Sequence, residues 1–180
     1  MSVAGLVLAA GVGKRFGGPK APYLFNGERL VDRAVRLLAE SGCSHVYVVL
    51  GAWIDDVPHA TTITNSDWET GMGSSLKAGL EYLSTHSDAD SVVVTLVDLP
   101  GMTAPAIARI VASNAGIAQA SFAGERGHPV KFAREHWDGV AQSAHGDVGA
   151  RDYLKSRTNE IEIIECGDVA TGEDLDFRPE

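Results

Sequence analysis

The chain alternates short apolar runs with longer stretches in which apolar residues recur every three or four positions. Short apolar runs predict buried strands, and the longer spacing predicts amphipathic helices. The predicted strands are Val3–Ala9, Thr61–Thr64, Ile161–Glu165 and residues 46–50, 91–97, 118–122 and 130–132. Helices are predicted at 31–38, from Ser74 or Ser75 onward, and at 105–112, 134–142 and 149–156. Segment 124–129 contains two glycines and a proline and is predicted to form a broad turn.

This alternation of strands and helices predicts an α/β fold with a mainly parallel sheet covered on both faces. No linker, repeat or low-complexity segment interrupts the pattern, so residues 1–180 are predicted to form a single domain. In such sheets, ligands bind beyond the carboxyl ends of the strands. A site is therefore expected among residues 9–18, Gly51, residues 65–75 and residues 98–100.

The net charge narrows the range of partners. The chain carries 15 basic and 24 acidic residues and a formal net charge of −9. Proteins that bind nucleic-acid polymers usually present a basic face, so no nucleic-acid partner is expected. A small phosphorylated ligand remains compatible with this charge, because a few local donors can hold one phosphate group.

Cysteine usage and the N-terminal apolar run predict a cytoplasmic protein. Cys43 and Cys166 are the only cysteines and belong to no Cys/His cluster, so we expect free, partly buried thiols. The apolar run at residues 3–10 is too short to span a bilayer and has no basic segment before it. No membrane partner is expected.

A glycine-rich loop, residues 11–18, follows the first predicted strand. Its glycines allow backbone N–H groups to turn toward a phosphate, and Lys14, Arg15 and Lys20 add three cations nearby. The spacing of glycines alone is equally compatible with a solvated loop. Two familiar phosphate motifs are absent. Pro19-Lys20-Ala21 stands where a P-loop needs Lys-Ser or Lys-Thr, and Phe16 replaces the third glycine of the dinucleotide fingerprint. A nicotinamide dehydrogenase is therefore disfavoured.

Two further segments carry candidate chemistry. Within residues 65–76, Ser74 or Ser75 is predicted to cap a helix whose N-terminus could face an anion. The same serines are also compatible with a helix cap that has only a structural role. Asp98 ends a predicted buried strand just before Leu99-Pro100, where a carboxylate suits Mg²⁺. By itself, such an Asp also commonly forms an ordinary turn.

Together these segments resemble a known family. The chain matches the nucleotidyltransferase signature Leu-Ala-x-Gly-x-Gly-x-Arg-x-Gly-x-x-Lys from Leu8 to Lys20, and Asn-x-x-Trp-x-x-Gly-Met-x-x-Ser-Leu from Asn65 to Leu76. It resembles the molybdopterin nucleotidyltransferases, most closely the molybdenum cofactor cytidylyltransferase branch. The resemblance implies a Rossmann-like three-layer sandwich of the nucleotide-diphospho-sugar transferase type. It also implies transfer of a nucleotide to molybdopterin or molybdenum cofactor, with release of pyrophosphate.

The resemblance also implies roles for individual residues. Arg15, Lys20 and Asp98 would be catalytic, and Mg²⁺ would be held by Asp98 and Asp176. Asp176 lies in a late segment in which Phe177-Arg178 replaces a single family threonine, and a disordered acidic tail is the alternative. Ala10, where the GTP-using branch has glycine, accompanies CTP preference over GTP. The implied nucleotide-binding residues are Leu8, Ala9, Ala10, Gly11, Gly13, Lys14, Arg15, Lys20, Gly73, Ser74, Ser75 and Asp98.

The second half of the chain is implied to bind a phosphorylated pterin acceptor, through Gly127-His128-Pro129-Val130 and the segment from Gly146 to Arg151. Arg151 would hold an acceptor phosphate, or else pair with Asp147 or Asp152. A molybdoenzyme or its chaperone is the implied protein partner. Two alternatives remain, namely nucleotide transfer to a sugar phosphate or another phosphorylated alcohol, and a non-catalytic protein that binds and delivers the cofactor.

Overall fold

The computed structural model describes residues 1–180 and contains nine strands and five α-helices. The strands are β1 (Val3–Ala9), β2 (Leu24–Phe25), β3 (Glu28–Arg29), β4 (His45–Leu50), β5 (Thr61–Thr64), β6 (Ser91–Leu96), β7 (Ile117–Phe122), β8 (Glu125–Ala133) and β9 (Ile161–Glu165). The helices are α1 (Leu30–Glu40), α2 (Met72–His86), α3 (Ala104–Ala112), α4 (Trp137–Ser143) and α5 (Arg151–Ser156). Short 3₁₀ turns cover Trp68–Thr70, Arg134–His136 and Thr158–Glu160.

Seven strands form one sheet in the order β5-β4-β1-β6-β8-β7-β9, and β2 and β3 form a separate hairpin. Neighbouring strands from β5 to β6 pair in parallel, as do β7 and β9. Only β8 runs against its neighbours β6 and β7. The predicted α/β fold with a mainly parallel sheet is confirmed.

The broad turn predicted at 124–129 is wrong, because most of these residues belong to β8. The chain reverses at Ala123 and Gly124, whose φ angles of 51° and 85° match those of a tight hairpin turn. Cross-strand pairing then holds residues 125–126 and 130–133 in the sheet. Pro129 has no backbone N–H, which fits the irregular pairing between those two stretches. Pairing with distant strands has overridden a local sequence typical of turns.

Helices cover both faces of the sheet because the central strands are apolar on both sides. Every residue of β1 is buried. One face packs against α1 and α3, with Leu38 and Ile107 in its core. The other packs against α2 and α4, with Leu80 and Trp137 in its core. The three layers leave the carboxyl ends of β1, β4 and β6 at one open edge.

The ends of the helices only partly follow the prediction. As expected, α1 stops before Gly42, which has a φ of 98°. Ser74 and Ser75 do not cap α2, because the helix already begins at Met72 and its N-cap is Gly71. Gly71 has a φ of 114°, and a Cβ atom there would lie 2.4 Å from the carbonyl oxygen of Gly146. A close approach of backbones, rather than a capping hydroxyl, sets the start of this helix.

The C-terminal segment packs back onto the open edge of the sheet. The Leu175 N–H donates to the Asp98 carbonyl oxygen at 2.9 Å, and the Thr171 N–H donates to the Gly101 carbonyl at 3.1 Å. The alternative of a disordered tail is therefore wrong. Both cysteines are free, as predicted, but they are buried and not partly buried. None of the helices is both long enough and apolar enough to cross a membrane.

Candidate functional site

A cavity of about 730 Å³ opens at the carboxyl ends of β1 and β6. It is bordered by the glycine-rich loop on one side and by the segment before α2 on the other. The residues predicted to bind nucleotide that line it are Leu8, Ala9, Ala10, Gly11, Gly13, Lys14, Lys20, Ser75 and Asp98. We call this space the first cavity.

The glycine-rich loop leaves a row of backbone donors free. The Gly17 and Gly18 N–H groups both donate to the Gly13 carbonyl oxygen, at 2.8 and 3.1 Å, and so fold the loop back on itself. Gly13 has a φ of 63°, and a Cβ atom there would lie 1.9 Å from the Gly18 oxygen. The N–H groups of residues 11–16 donate to no protein acceptor. A turn with successive unpaired N–H groups forms an anion-binding concavity.

Lys20 lies between two carboxylates at the floor of the first cavity. Its Nζ donates to Asp98 Oδ2 at 2.6 Å and lies 3.7 Å from Asp176 Oδ1. Arg15 Nη2 contacts the same Asp176 oxygen at 3.4 Å. The Lys20 and Asp98 side chains are 15% and 16% exposed, so solvent screens their attraction only in part. The structure thus brings Arg15, Lys20, Asp98 and Asp176 together.

Asp174 is a third carboxylate beside this cluster. Burial raises the pKa of Asp174, and the negative charges of Asp98 and Asp176 raise it further. These residues come from the end of β6 and from the C-terminal segment, which the Leu175–Asp98 backbone hydrogen bond holds in place. The positive charges of Lys20 and Arg15 only partly offset the negative charges of the three carboxylates.

The donors at this cluster fit a divalent cation shared with a phosphorylated ligand. No group of three or more His, Cys, Asp or Glu side chains is arranged as a metal site. Mg²⁺, however, is commonly bound by one or two carboxylates, with phosphate oxygens and waters completing its octahedron. Asp98 and Asp176 supply two carboxylates beside the free N–H groups of the loop. This donor set fits a metal that arrives with its phosphates.

Ser74 and Ser75 organise the loop before α2. The buried Asn65 donates from Nδ2 to Ser74 Oγ at 2.9 Å and to Ser75 Oγ at 3.0 Å. Ser74 Oγ in turn donates to the Gly71 carbonyl oxygen at 2.8 Å. Of these two serines, only Ser75 lines the first cavity. The Gly73 N–H donates to Gly146 at 2.8 Å, so Gly73 contacts the loop before α5 instead of lining the cavity.

A second cavity, of about 650 Å³, continues from the first across Leu8, Met72 and Leu96. It lies between the sheet and the segment that contains α5. Its polar lining includes Gln119, Arg126, His128, Arg151, Lys155 and Asp174. The half of the chain expected to bind an acceptor therefore borders the first cavity directly.

His128 and Arg151 both line the second cavity. Burial lowers the pKa of His128 to about 4, against a smaller opposing effect of the negative charge on Asp98. His128 is therefore neutral near pH 7. The expected alternative of an ion pair between Arg151 and Asp147 or Asp152 is wrong, because Asp152 pairs instead with His145 at 3.1 Å. Arg151 forms no ion pair and remains free for a ligand.

The family model described as "MobA-like NTP transferase domain" matches residues 5–161. The chain belongs to this family. It is therefore a nucleotidyltransferase by family, in agreement with the resemblance found in its sequence. The matched residues include the glycine-rich loop, Asp98 and most of the lining of both cavities.

The chain is similar to relatives that carry different names. It is 36% identical to the nicotine blue oxidoreductase of Paenarthrobacter nicotinovorans, over 97% of this chain and 92% of that protein. It is 28% identical to the purine catabolism protein PucB of Bacillus subtilis, over 98% and 92%. A molybdenum cofactor guanylyltransferase of Rhizobium johnstonii is 30% identical, over 71% and 61%.

Solved structures share the fold of this MobA-like NTP transferase. The homologue of Mycobacterium tuberculosis Rv0371c from Mycobacterium sp. strain JC1 has a TM-score of 0.79 at 26% identity, covering 97% of this chain and 90% of that one. Rv0371c itself, in complex with manganese, has a TM-score of 0.74 at 21% identity, covering 92% and 89%. The 2-C-methyl-D-erythritol 4-phosphate cytidylyltransferase of Thermus thermophilus has a TM-score of 0.72 at 16% identity, covering 97% and 93%. The Rossmann-like nucleotidyltransferase fold is thus shown.

Sequence reasoning did not assign several residues that line the first cavity. Trp68, Gly71 and Met72 lie in the segment before α2 that carried the resemblance, so their motif already contained the signal. Glu69 lies beside them. Asp147 belongs to the Gly146–Arg151 segment that was expected to bind the acceptor, yet it lines the first cavity.

Proposed function

We propose that the protein transfers the nucleotide of CTP to the terminal phosphate of molybdopterin or the molybdenum cofactor, and that pyrophosphate is released. One observation carries this proposal. Lys20 and Asp98 lie 2.6 Å apart beside a loop with unpaired N–H groups, and a second cavity continues from that point. A nucleoside triphosphate and a phosphorylated acceptor could therefore meet at one charged junction.

The chemistry would consist of alignment and charge neutralisation. An oxygen of the acceptor phosphate attacks the α-phosphorus, the new P–O bond forms, and the bond to the leaving pyrophosphate breaks. A phosphate monoester is largely ionised near neutral pH, so no dedicated general base is needed. Loop N–H groups, Lys20 and Arg15 would hold the negative charge that develops on the pyrophosphate. Neutral His128 adds no positive charge at the junction.

A divalent metal fits the same junction. Asp98 and Asp176 would hold Mg²⁺ together with the phosphate oxygens of the nucleotide. When bound, Mg²⁺ supplies positive charge to those oxygens. Lys20 would then move from its carboxylate partners toward the triphosphate.

Ala10 supports a preference for CTP over GTP. Its side chain is 5% exposed and lines the first cavity next to Gly51 and Trp68. The methyl group occupies volume that glycine would leave open to a larger purine.

The product would pass to a molybdoenzyme or to its chaperone.

The direct test supplies each of the four NTPs, with Mg²⁺ and molybdopterin, and measures pyrophosphate together with the mass of the product. We expect release with CTP and only weak release with GTP. Binding without release would support the cofactor-delivery alternative. Release of pyrophosphate with a sugar phosphate but not with molybdopterin would support the alternative of nucleotide transfer to a phosphorylated sugar or alcohol.

A redox function is the second candidate, because the relative named an oxidoreductase is 36% identical over 97% of this chain. Such a reaction needs an electron donor, for example a reduced nicotinamide dinucleotide. Oxidation of that donor in the presence of a heteroaromatic dye, followed by its absorbance, would reveal this activity. Dye-dependent oxidation without any pyrophosphate release would replace the transferase proposal.

A further inference from the structure

Gln119 carries a buried, unpaired hydrogen-bond acceptor in the wall of the second cavity. Its side chain lines that cavity and is only 8% exposed. Nε2 donates to the Gly127 carbonyl oxygen at 3.3 Å, whereas Oε1 has no hydrogen-bond partner. The opposite orientation of the amide would place two oxygens against each other. The contact with Gly127 therefore identifies the free atom as an acceptor.

An unpaired buried oxygen of this kind needs an explanation, because buried polar atoms in folded proteins are almost always hydrogen-bonded. Ser91 Oγ is the other buried side-chain oxygen without a partner. It lies at the start of β6, away from both cavities. Gln119 Oε1 is thus the one such atom whose residue borders a space large enough for a ligand.

The cations around this cavity are also unpaired. Arg126, Arg151 and Lys155 line it, and none of their side chains takes part in an ion pair or a hydrogen bond. Most other lysine and arginine side chains of the chain have such partners, for example Arg109 with Asp168 at 2.6 Å. Asp174 is the only carboxylate in the lining. An exposed set of free cations favours an anionic ligand.

Between these polar groups the cavity is apolar. Leu76 of α2 and Val94, Val130 and Phe132 of the sheet line it. Flat side-chain surfaces from a sheet and a helix suit a planar ring, which can bury its faces there while its edge reaches Gln119. A cavity with one unpaired acceptor in its wall and several cations matches a ring with one donor and an acidic substituent.

We propose that Gln119 determines specificity for the acceptor, by accepting a hydrogen bond from the amino group of an anionic planar heterocycle. The inference rests on the proposed function only in identifying the occupant of the second cavity as the acceptor. A ligand with a carbonyl in place of that donor would oppose two acceptors and be rejected.

The experiment compares two fluorescent probes, 6-carboxypterin and 6-carboxylumazine. Both are planar and anionic, and they differ by one amino group that a carbonyl replaces. Affinities are measured by fluorescence titration in the presence of saturating CTP and Mg²⁺. We expect the wild type to bind 6-carboxypterin about tenfold more tightly. Gln119→Met retains the length of the side chain without the amide, and should reduce this ratio to about twofold or less.

Charge variants separate recognition of the ring from recognition of the anion. Arg151→Gln should weaken both probes by a similar factor and leave their ratio intact. Lys77→Gln, an exposed lysine that pairs with Glu81 on α2, is the matched control and should change neither affinity. Far-ultraviolet circular dichroism checks the folding of each variant, and Gln119→Leu serves as a second substitution.

Equal affinity of the wild type for both probes, or binding of neither, would overturn the proposal. A ratio that persists in Gln119→Met or Gln119→Leu would overturn it as well. Neither probe carries a phosphate, so the titration requires no nucleotide transfer. A protein that fails the pyrophosphate assay can therefore still pass this test, and the reverse also holds.

Discussion

Replacing Asp98 by asparagine is the sharpest test of the junction between the two cavities. The substitution retains the size of the side chain and an oxygen that can accept from Lys20, but it removes the negative charge. At the observed 2.6 Å between Lys20 and Asp98, Coulomb's law with an effective dielectric of about 20 gives about 6 kcal/mol before desolvation is counted. The net value is smaller, because burying both groups costs free energy.

Turnover should respond more strongly than folding. Removing one preorganised electrostatic contact typically lowers turnover by about 10²–10³-fold. We expect Asp98→Asn to lose CTP-dependent pyrophosphate release by at least about 10²-fold. The fold should persist, since the Leu175 N–H donates to the backbone oxygen of residue 98 and not to its side chain.

The assay is Mg²⁺-dependent pyrophosphate release with CTP and molybdopterin, alongside thermal unfolding. Asp168→Asn is the matched control, because it removes an equally short but exposed ion pair with Arg109, away from both cavities. The control should remain within about twofold of the wild type. Turnover of Asp98→Asn within about fivefold of the wild type, with the control unaffected, would refute the assignment of Asp98.

Three other predictions address separate parts of the molecule. Gly13→Ala should weaken CTP binding by about tenfold or more in calorimetric titration. The new Cβ atom would displace the Gly18 carbonyl group, and a left-handed backbone conformation costs alanine about 1 kcal/mol. An unchanged affinity would exclude a role for the loop in binding CTP. Hydrogen bonds, the largest from Ser121, lower the pKa of Glu165 to about 2, below its ordinary 4.5. The stability it adds is therefore present above about pH 4.5 and lost toward pH 2, so the melting-temperature gap between wild type and Glu165→Gln should narrow on acidification; a constant gap would contradict this. Burial raises the pKa of the Cys43 thiol to about 12, so a disulfide reagent at pH 8 should label it only after denaturation, and rapid labelling of the folded protein would contradict the structure.

The fold was largely predictable because the strands that build its centre carry a strong apolar signal. Val3–Ala9 is buried along its whole length, and its predicted bounds match the structure. The main failure lies in β8, where Gly127 and Pro129 are typical of turns but lie in a strand. The turn itself depends on Ala123, which adopts a positive φ that local preference disfavours. Only pairing with β6 and β7 explains this conformation.

The site could be predicted to the extent that it lies in short motifs. Lys20 and Asp98 are 78 residues apart, and their meeting followed from the rule that strand ends converge at one edge of the sheet. Gln119 lies in no such motif, and its place at the second cavity depends on how β7 and β8 pair in the sheet. Single residues without a motif become informative only when the packing around them is known.

The antiparallel direction of β8 places two cavities, built mostly by different halves of the chain, at the same edge of the sheet. Because β8 begins where β6 ends, its first residues reach the same edge as Asp98, so both cavities adjoin even though different segments build most of each. Substitutions between about residue 119 and residue 158 would change mainly the second cavity, with Asp147 the one residue of this range that lines the first. The second cavity can thus change while the glycine-rich loop and Asp98 stay constant, in a family whose members carry names as different as nicotine blue oxidoreductase and molybdenum cofactor guanylyltransferase.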